Sequence, residues 1–245
     1  MMIGFNKLGA IIFDLDGTLC RYGLSIPAAL EEAFRRRGYG ELFEAHRVGL
    51  SGDRYRECLR AVDREAMRMR GTKYRSRGTE ALRRLLRGVG LDEGLSLEIG
   101  PQFIKILSDH VVLSPSAEPV IESLESYKLG LITNGPSRVQ WKKIRSLGIE
   151  RWFSGIIVSG ELGIEKPDEA IFARMLTILD VRPKEALYVG DSLYYDVQGA
   201  KRAGLWAAWL NPQGEERDPD LPPPDLELRR LDELLPVLSC GDRLP

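Results

Sequence analysis

The apolar and polar positions divide the chain into segments of two kinds. Short apolar runs bounded by turn residues predict buried strands, at Ile11–Phe13, Leu129–Thr133, Gly155–Val158, Ala186–Val189 and Trp206–Trp209. Between the last four runs, apolar residues recur at steps of three and four, which predicts helices. Near-continuous apolar strands that alternate with helices are typical of a parallel sheet covered on both faces. We therefore predict an α/β core with helices on both faces of its sheet.

The interval between the first two runs has a different pattern. From about Gly23 to Leu113 the apolar residues keep a helical spacing and form no convincing β run. Four helices around a shared core would account for this block. We therefore predict an all-helical domain at residues 21–113, inserted into a core domain formed by residues 1–20 and 114–245.

Composition narrows the class of protein. With 245 residues, the chain has room for one large domain, or for a main domain with an insertion. Its net charge of -1 argues against a nucleic-acid binder that works through an overall positive field. The apolar runs are shorter than the roughly 20 residues that span a bilayer, and the amino terminus lacks a signal-peptide layout. We expect a cytoplasmic protein without nucleic-acid or membrane partners, as a monomer or homodimer.

Cysteine and histidine usage limits the available chemistry. Three widely spaced cysteines suit a reducing compartment better than a disulfide framework. The two histidines, His46 and His110, leave little for a His-rich metal site or a Ser-His-Asp triad. Carboxylates must therefore carry any acid–base chemistry.

Positive charge is concentrated in the predicted helical insertion. Residues 68–87 contain eight Lys or Arg and one acid, Glu80. An anionic ligand is one interpretation, and a solvated helix face with an exposed loop is the other. Lys73 and Arg75 fall between two helical patterns, and loop positions are favourable for ligand contact. With Arg54, they are the candidate substrate-contacting residues of the insertion.

Polar residues follow four of the predicted strands. Asp14 and Asp16 follow the first, Thr133 and Asn134 end the second, a segment ending at Lys166 follows the third, and Asp191 with Asp196 follow the fourth. Each set alone could be ordinary turn chemistry. In open parallel α/β sheets, however, ligands bind at the carboxyl ends of the strands. The coincidence at four strand ends predicts one shared site.

These residue types favour phosphate chemistry. Clustered carboxylates with few nitrogen ligands select a hard cation, so Mg²⁺ is favoured over Zn²⁺. A lysine, a hydroxyl and turn amides together can hold a phosphate group. An aspartate can act as a nucleophile through a covalent aspartyl phosphate.

The same residues carry a family resemblance. Four ordered motifs resemble those of the haloacid dehalogenase-like (HAD) hydrolase superfamily: Asp14-Leu-Asp16-Gly-Thr, Thr133-Asn134-Gly135, Lys166-Pro167 and Gly190-Asp191-Ser-Leu-Tyr-Tyr-Asp196. A helical insertion directly after the first motif is similar to the cap of the subgroup that includes phosphoglycolate phosphatase, β-phosphoglucomutase and the 2-haloacid dehalogenases. The resemblance implies a Rossmann-like sheet with an inserted cap domain.

The resemblance also implies roles for individual residues. Asp14 would attack phosphorus, Asp16 would act as general acid and base, and Lys166 would balance the negative charge. Thr133 and the Asn134 amide would bind phosphate oxygens together with Lys166. Mg²⁺ would be held by Asp14, the Asp16 carbonyl and Asp191, with Asp196 either a ligand or an orienting group for bound water.

Three alternatives share this fold. A phosphomutase would use the same core motifs and differ mainly in its cap. A 2-haloacid dehalogenase keeps the nucleophile but lacks the second aspartate, so the presence of Asp16 disfavours it. A non-catalytic binding protein is disfavoured because Asp14, Asp16 and Lys166 are all present. We therefore predict a Mg²⁺-dependent phosphatase whose partner is a small phosphorylated metabolite.

Overall fold

A computed structural model describes residues 8–69 and 74–241. The chain separates into two compact units. One contains the chain up to Arg21 and from Leu113 onwards, and the other is Tyr22–Val112. Strands β2 (Cys20–Tyr22) and β3 (Val111–Leu113), where the chain passes between the units, form a two-stranded sheet. The functions of the two units as catalytic core and cap stay a prediction.

The larger unit contains a six-stranded sheet in the order β5-β4-β1-β6-β7-β8. Every neighbouring pair in this sheet is parallel. Its strands are β1 Ala10–Phe13, β4 Lys128–Thr133, β5 Gly155–Val158, β6 Ala186–Gly190, β7 Trp206–Leu210 and β8 Leu226–Leu228. This arrangement confirms the prediction of a Rossmann-like α/β sheet.

Helices cover both faces of the sheet because the strands are apolar on both sides. In β1, Ile11 and Phe13 belong to one buried cluster, and Ala10 and Ile12 belong to another. Alternate residues of a strand point to opposite faces, so each cluster lies on one face. The connecting helices are α6 Ala117–Glu122, α7 Ser137–Leu147, α8 Ser159–Leu162, α9 Glu169–Leu179, α10 Gly199–Arg202 and α11 Leu234–Gly241.

The smaller unit is helical and has a hydrophobic core of its own. Its helices are α1 Ile26–Arg36, α2 Gly40–His46, α3 Gly52–Met69, α4 Tyr74–Gly88 and α5 Leu95–Asp109. The expectation of four helices is therefore wrong, since the described part of this unit contains five. The additional helix, α2, has seven residues and buries only Phe43, so its sequence carries little periodic signal.

The positively charged run lies largely on a helix. Because α4 begins at Tyr74, the prediction that Arg75 occupies a loop is wrong, whereas Lys73 lies outside the described residues. Three cations of the run form ion pairs with acids of the same unit, namely Arg83, Arg84 and Arg87 with Glu80, Glu65 and Glu93. Across residues 8–69 and 74–241, no helix combines the length and apolarity needed to cross a membrane.

Candidate active site

The site forms where the order of the strands reverses. From β1 the chain adds β4 and β5 on one side and then β6, β7 and β8 on the other. Asp14 directly follows β1, and its backbone N–H donates to the Val189 carbonyl of β6 at 2.9 Å. The carboxyl ends of β1, β4 and β6 therefore meet at one edge, which is where parallel α/β sheets bind ligands.

Lys166 is the centre of a buried polar cluster at this edge. Its Nζ donates to Asp14 Oδ1 at 2.6 Å, to Asp196 Oδ1 at 2.6 Å and to Tyr188 Oη at 2.9 Å. Only 2% of the Lys166 side chain is exposed. A buried ammonium requires such partners, since an unpaired charge in the interior is strongly unfavourable.

Asn134 fixes the segment that carries Lys166. The Asn134 Nδ2 donates to the Lys166 carbonyl at 3.0 Å, and the Lys166 N–H donates to Asn134 Oδ1 at 2.9 Å. The side chain of Asn134 therefore binds the backbone of the lysine segment. The predicted phosphate contact of Asn134 concerns its backbone amide and stays a prediction.

The electrostatics of the cluster follow from burial and crowding. Burial raises the pKa of Asp14 to about 7; Lys166 opposes this shift, and Asp196 adds to it. Burial lowers the pKa of Lys166, but the two carboxylates outweigh it and hold the pKa well above its usual value. Lys166 is therefore a fixed positive charge beside Asp14.

A third carboxylate adjoins these two. Asp14, Asp191 and Asp196 each offer an oxygen within 4.8 Å of the others. Gly17 has a φ of +86°, and a Cβ at this position would overlap the Asp191 carboxylate. Each of the three residues contributes a carboxylate oxygen to this cluster. Carboxylate oxygens are the donors that a hard divalent cation such as Mg²⁺ prefers.

Asp16 is held separately by helix α7. Lys143 Nζ donates to Asp16 Oδ1 at 2.7 Å and to Oδ2 at 2.9 Å, and Gln140 Nε2 donates to Oδ2 at 2.8 Å. Gln140 Nε2 also donates to Thr133 Oγ1. Burial raises the pKa of Asp16, but Lys143, together with Gln140 and Lys166, outweighs burial and holds the pKa below its usual value.

Sequence reasoning missed three residues of this site: Gln140, Lys143 and Tyr188. The first two are buried on α7 beside Ile144, at positions where helical periodicity predicts apolar residues. Polar residues at core-facing helix positions were the available signal. The hydroxyl of Tyr188, within an otherwise apolar strand, was a weaker one.

The structure brings together the predicted residues of the core, namely Asp14, Asp16, Thr133, Asn134, Lys166, Asp191 and Asp196. Arg54 lies at the start of α3 in the helical unit and is exposed. The predicted substrate contacts of Arg54, Lys73 and Arg75 stay predictions.

Comparison with known proteins decides the family. Residues 8–204 match the family model of the haloacid dehalogenase-like hydrolases. The chain belongs to this hydrolase family. The four motifs that predicted the HAD resemblance all lie within the matched range.

Two relatives extend over almost the whole chain. A glyceraldehyde 3-phosphate phosphatase of Methanopyrus kandleri is 33% identical, over 94% of this chain and 96% of its own length. A phosphoserine phosphatase of Thermus thermophilus is 31% identical, over 88% of this chain and 95% of its own length. The prediction of a phosphoric monoester hydrolase within the HAD family is confirmed by these relatives. The likeness to phosphoglycolate phosphatase is only approximate.

A solved HAD structure agrees with the architecture. The HAD hydrolase YfnB of Bacillus subtilis, crystallised with bound magnesium, superposes with a TM-score of 0.75 at 27% identity. The match covers 95% of this chain and 99% of YfnB. Magnesium binding by this relative is consistent with a cation site at the carboxylates of Asp14, Asp191 and Asp196.

Proposed function

We propose that the protein is a Mg²⁺-dependent phosphatase that hydrolyses a small phosphorylated metabolite through an aspartyl phosphate on Asp14. One observation carries the proposal: two neighbouring aspartates at the strand edge have separate lysine partners. Asp14 pairs with Lys166, and Asp16 pairs with Lys143. Two carboxylates in different environments can perform two different functions.

Asp14 is the nucleophile in this proposal. Its carboxylate oxygen bonds to phosphorus while the ester oxygen leaves. Lys166 stays charged throughout and offsets negative charge shared by Asp14 and the phosphoryl group. Thr133 Oγ1 and the Asn134 backbone N–H bind phosphoryl oxygens. Phosphoryl transfer depends mainly on such positioning and charge neutralisation.

Asp16 moves the protons. In the first step the protonated form of Asp16, which Lys143 and Gln140 make a stronger acid than a free aspartic acid, gives its proton to the departing ester oxygen. In the second step it takes a proton from water as the water oxygen bonds to phosphorus and the bond to Asp14 breaks. Asp16 thereby returns to its starting protonation state, and the products are the alcohol and inorganic phosphate.

The carboxylates of Asp14 and Asp191 and the Asp16 carbonyl would hold Mg²⁺, with Asp196 as a ligand or as an orienting group for bound water. The cation supplies charge neutralisation for the phosphoryl group. The proximity of the Asp14, Asp191 and Asp196 carboxylate oxygens supports this assignment.

The unit Tyr22–Val112 is proposed to be a cap that selects the metabolite. This unit has its own hydrophobic core. It is inserted directly after the turn that carries Asp14 and Asp16, which is the position of the cap in the HAD subgroup that the sequence resembles. Arg54, Lys73 and Arg75 are candidates for contacts with the substrate beyond its phosphate.

Initial rates on a panel of phosphate esters test the proposal. The panel contains sugar phosphates, nucleotides, phosphoglycolate, glyceraldehyde 3-phosphate, phosphoserine and an aryl phosphate, each with and without Mg²⁺. We expect Asp14→Asn to abolish turnover and to leave the circular dichroism spectrum unchanged. Asp220→Asn, at an exposed position, is the matched control. Normal activity in Asp14→Asn would refute the covalent mechanism.

A further inference from the structure

The surface of α7 that faces the site carries a lysine and a glutamine where packing would favour apolar residues. Gln140 and Lys143 are 2% and 4% exposed, and they lie beside the buried Ile144. Residues three apart on a helix share one face, so both side chains point the same way. Burying a lysine within an apolar stripe brings no packing advantage. Their position therefore requires a reason other than the hydrophobic core.

Both side chains end on the same carboxylate. Lys143 Nζ contacts both oxygens of Asp16, and Gln140 Nε2 contacts one of them. Three short contacts from one rigid helix leave the carboxylate little freedom to rotate. Lys166, already bound to Asp14 and Asp196, does not hydrogen-bond to Asp16 among the described contacts. Compensation of the Asp16 charge therefore rests mainly on Lys143.

Gln140 also connects Asp16 to the proposed phosphate-binding residue Thr133. Its amide nitrogen donates to Asp16 Oδ2 and to Thr133 Oγ1. Gly135 has a φ of +145°, and a Cβ there would lie 3.1 Å from Gln140 Cγ and Cδ. A glycine at this position gives the Gln140 side chain room to reach between the two residues.

We propose that Lys143 and Gln140 are positioning residues that act through Asp16. They hold its carboxylate at the place from which it exchanges a proton with the leaving oxygen and with water. We call this pair the α7 clamp. The inference rests on the proposed phosphatase function and adds two residues to it. If the inference holds, the protonation of basic leaving groups by Asp16 depends on two side chains of α7, the helix that follows the second motif.

The leaving-group dependence of kcat/KM tests the α7 clamp. An alkyl phosphate needs protonation of its leaving oxygen, whereas an aryl phosphate such as p-nitrophenyl phosphate needs it little. We expect Lys143→Met to lower kcat/KM for the alkyl ester by about 30-fold and for the aryl ester by about threefold or less. Lys143→Arg should restore part of the loss. Lys142→Met, which removes an exposed lysine from the same helix, should behave like the wild type.

A double-mutant cycle separates positioning from a purely structural effect. If Lys143 acts through Asp16, adding Lys143→Met to Asp16→Ala should change kcat/KM for the alkyl ester by less than about twofold. Multiplication of the two separate losses would overturn the inference. An unchanged ratio of alkyl to aryl rates in Lys143→Met would overturn it as well.

Two further comparisons keep the result interpretable. If Lys143→Met does not fold by circular dichroism, Gln140→Leu should show the same selective loss on the alkyl ester, and equal losses on both esters would refute the clamp. A wild-type protein without Mg²⁺-dependent turnover of any ester would refute the proposed function, and the clamp with it. An active wild type with an unselective Lys143→Met would refute the clamp alone.

Discussion

At the scale of single residues, the site depends on which lysine each aspartate contacts. Asp14 and Asp16 are two residues apart, and as unpartnered charges they would repel each other. Lys166 binds Asp14 from the segment after β5, while Lys143 binds Asp16 from α7. Burial raises the pKa of Asp14, whereas at Asp16 burial is outweighed by Lys143 with Gln140 and Lys166, and the pKa is lowered. The environment therefore distinguishes two chemically identical side chains.

The proposed acid–base function of Asp16 gives the first prediction. Asp16→Ala should lower kcat/KM for an alkyl phosphate by about 1000-fold and for an aryl phosphate by about tenfold, because only the alkoxide needs a proton. Steady-state rates with both esters check this. Equal losses on the two esters would argue against a proton-transfer role. Asp218→Asn, a partly exposed acid of the same unit, serves as the control and should match the wild type.

Tyr188 gives a second prediction. Its hydroxyl accepts from Lys166 Nζ at 2.9 Å and donates to the Ile132 carbonyl at 3.3 Å. Tyr188→Phe removes both contacts inside the core, and we expect the free energy of unfolding to fall by about 1 kcal/mol. Because Lys166 then has fewer fixed partners, kcat should fall by about tenfold. Urea unfolding and initial rates measure the two effects.

The control for Tyr188 is another tyrosine of the same unit. Tyr127→Phe removes a hydroxyl from a partly buried ring beside the core and should leave kcat unchanged. A loss of stability in Tyr188→Phe without a change in kcat would show that the hydroxyl supports the fold and does not position Lys166.

At the scale of elements, the sequence predicts helix α7 but not the contacts that its buried side chains make. The apolar spacing around Ile144 predicts the helix, and Gly148 ends it in the left-handed conformation. The contacts of Gln140 and Lys143 were not predictable, since they depend on where the helix packs against the turn that carries Asp16. Periodicity identifies the face of a helix but does not identify the side chains opposite it.

In the smaller unit, by contrast, the sequence did not predict where helix α4 begins. A run of like charges and turn residues predicts a loop at Arg75, although α4 already begins at Tyr74. Two arginines of this helix are paired within the unit: Glu80 accepts from Arg83 Nε at 2.7 Å and from Arg84 Nε at 2.8 Å. Glu65, which lies on α3 and 19 residues before Arg84, also takes part. Local charge counting does not include these partners.

Glu80 gives a third prediction, on stability. The hydrogen bonds of Arg83 are the main cause that lowers the pKa of Glu80 to about 2. Burial opposes this shift, and the hydrogen bond of Arg84 adds to it. A lowered folded-state pKa stabilises the protein above the unfolded-state value of about 4.3, and this contribution is lost as the pH falls towards 2. Because the pair is partly exposed, we expect Glu80→Gln to cost about 1 kcal/mol at neutral pH.

Urea unfolding followed by circular dichroism checks the Glu80 prediction. The difference in the free energy of unfolding between the wild type and Glu80→Gln should be smaller at about pH 3 than at neutral pH, because the pH then approaches the folded-state pKa of the Glu80 carboxyl. Glu31→Gln, an exposed carboxylate on α1, is the control for a lost surface charge. A difference that stays constant with pH would contradict the ion-pair explanation.

At the scale of the whole molecule, the topology makes the site predictable from sequence. Four motifs separated by up to about 115 residues converge because β1 lies between β4 and β6. Parallel strands end at a common edge, so the strand assignments alone bring Asp14, Thr133 and Asp191 together. The helical unit has no comparable rule. Its substrate contacts depend on individual side chains, and the sequence of this unit contains no motif that we could interpret.

The last prediction links metal binding, pH and the stability of the molecule. Because the folded-state pKa of Asp14 is raised to about 7, the metal-free protein loses stability as the pH rises towards and through that value. In the proposed site Mg²⁺ binds the ionised Asp14 carboxylate, so the increase in melting temperature that Mg²⁺ causes should be larger at about pH 8 than at about pH 6, by about 4 °C. Thermal unfolding with Mg²⁺ and with a chelator measures this difference. In Asp14→Asn the pH dependence of the shift should disappear, whereas in Asp220→Asn it should persist. An equal shift at both pH values in the wild type would refute the coupling of Asp14 ionisation to metal binding.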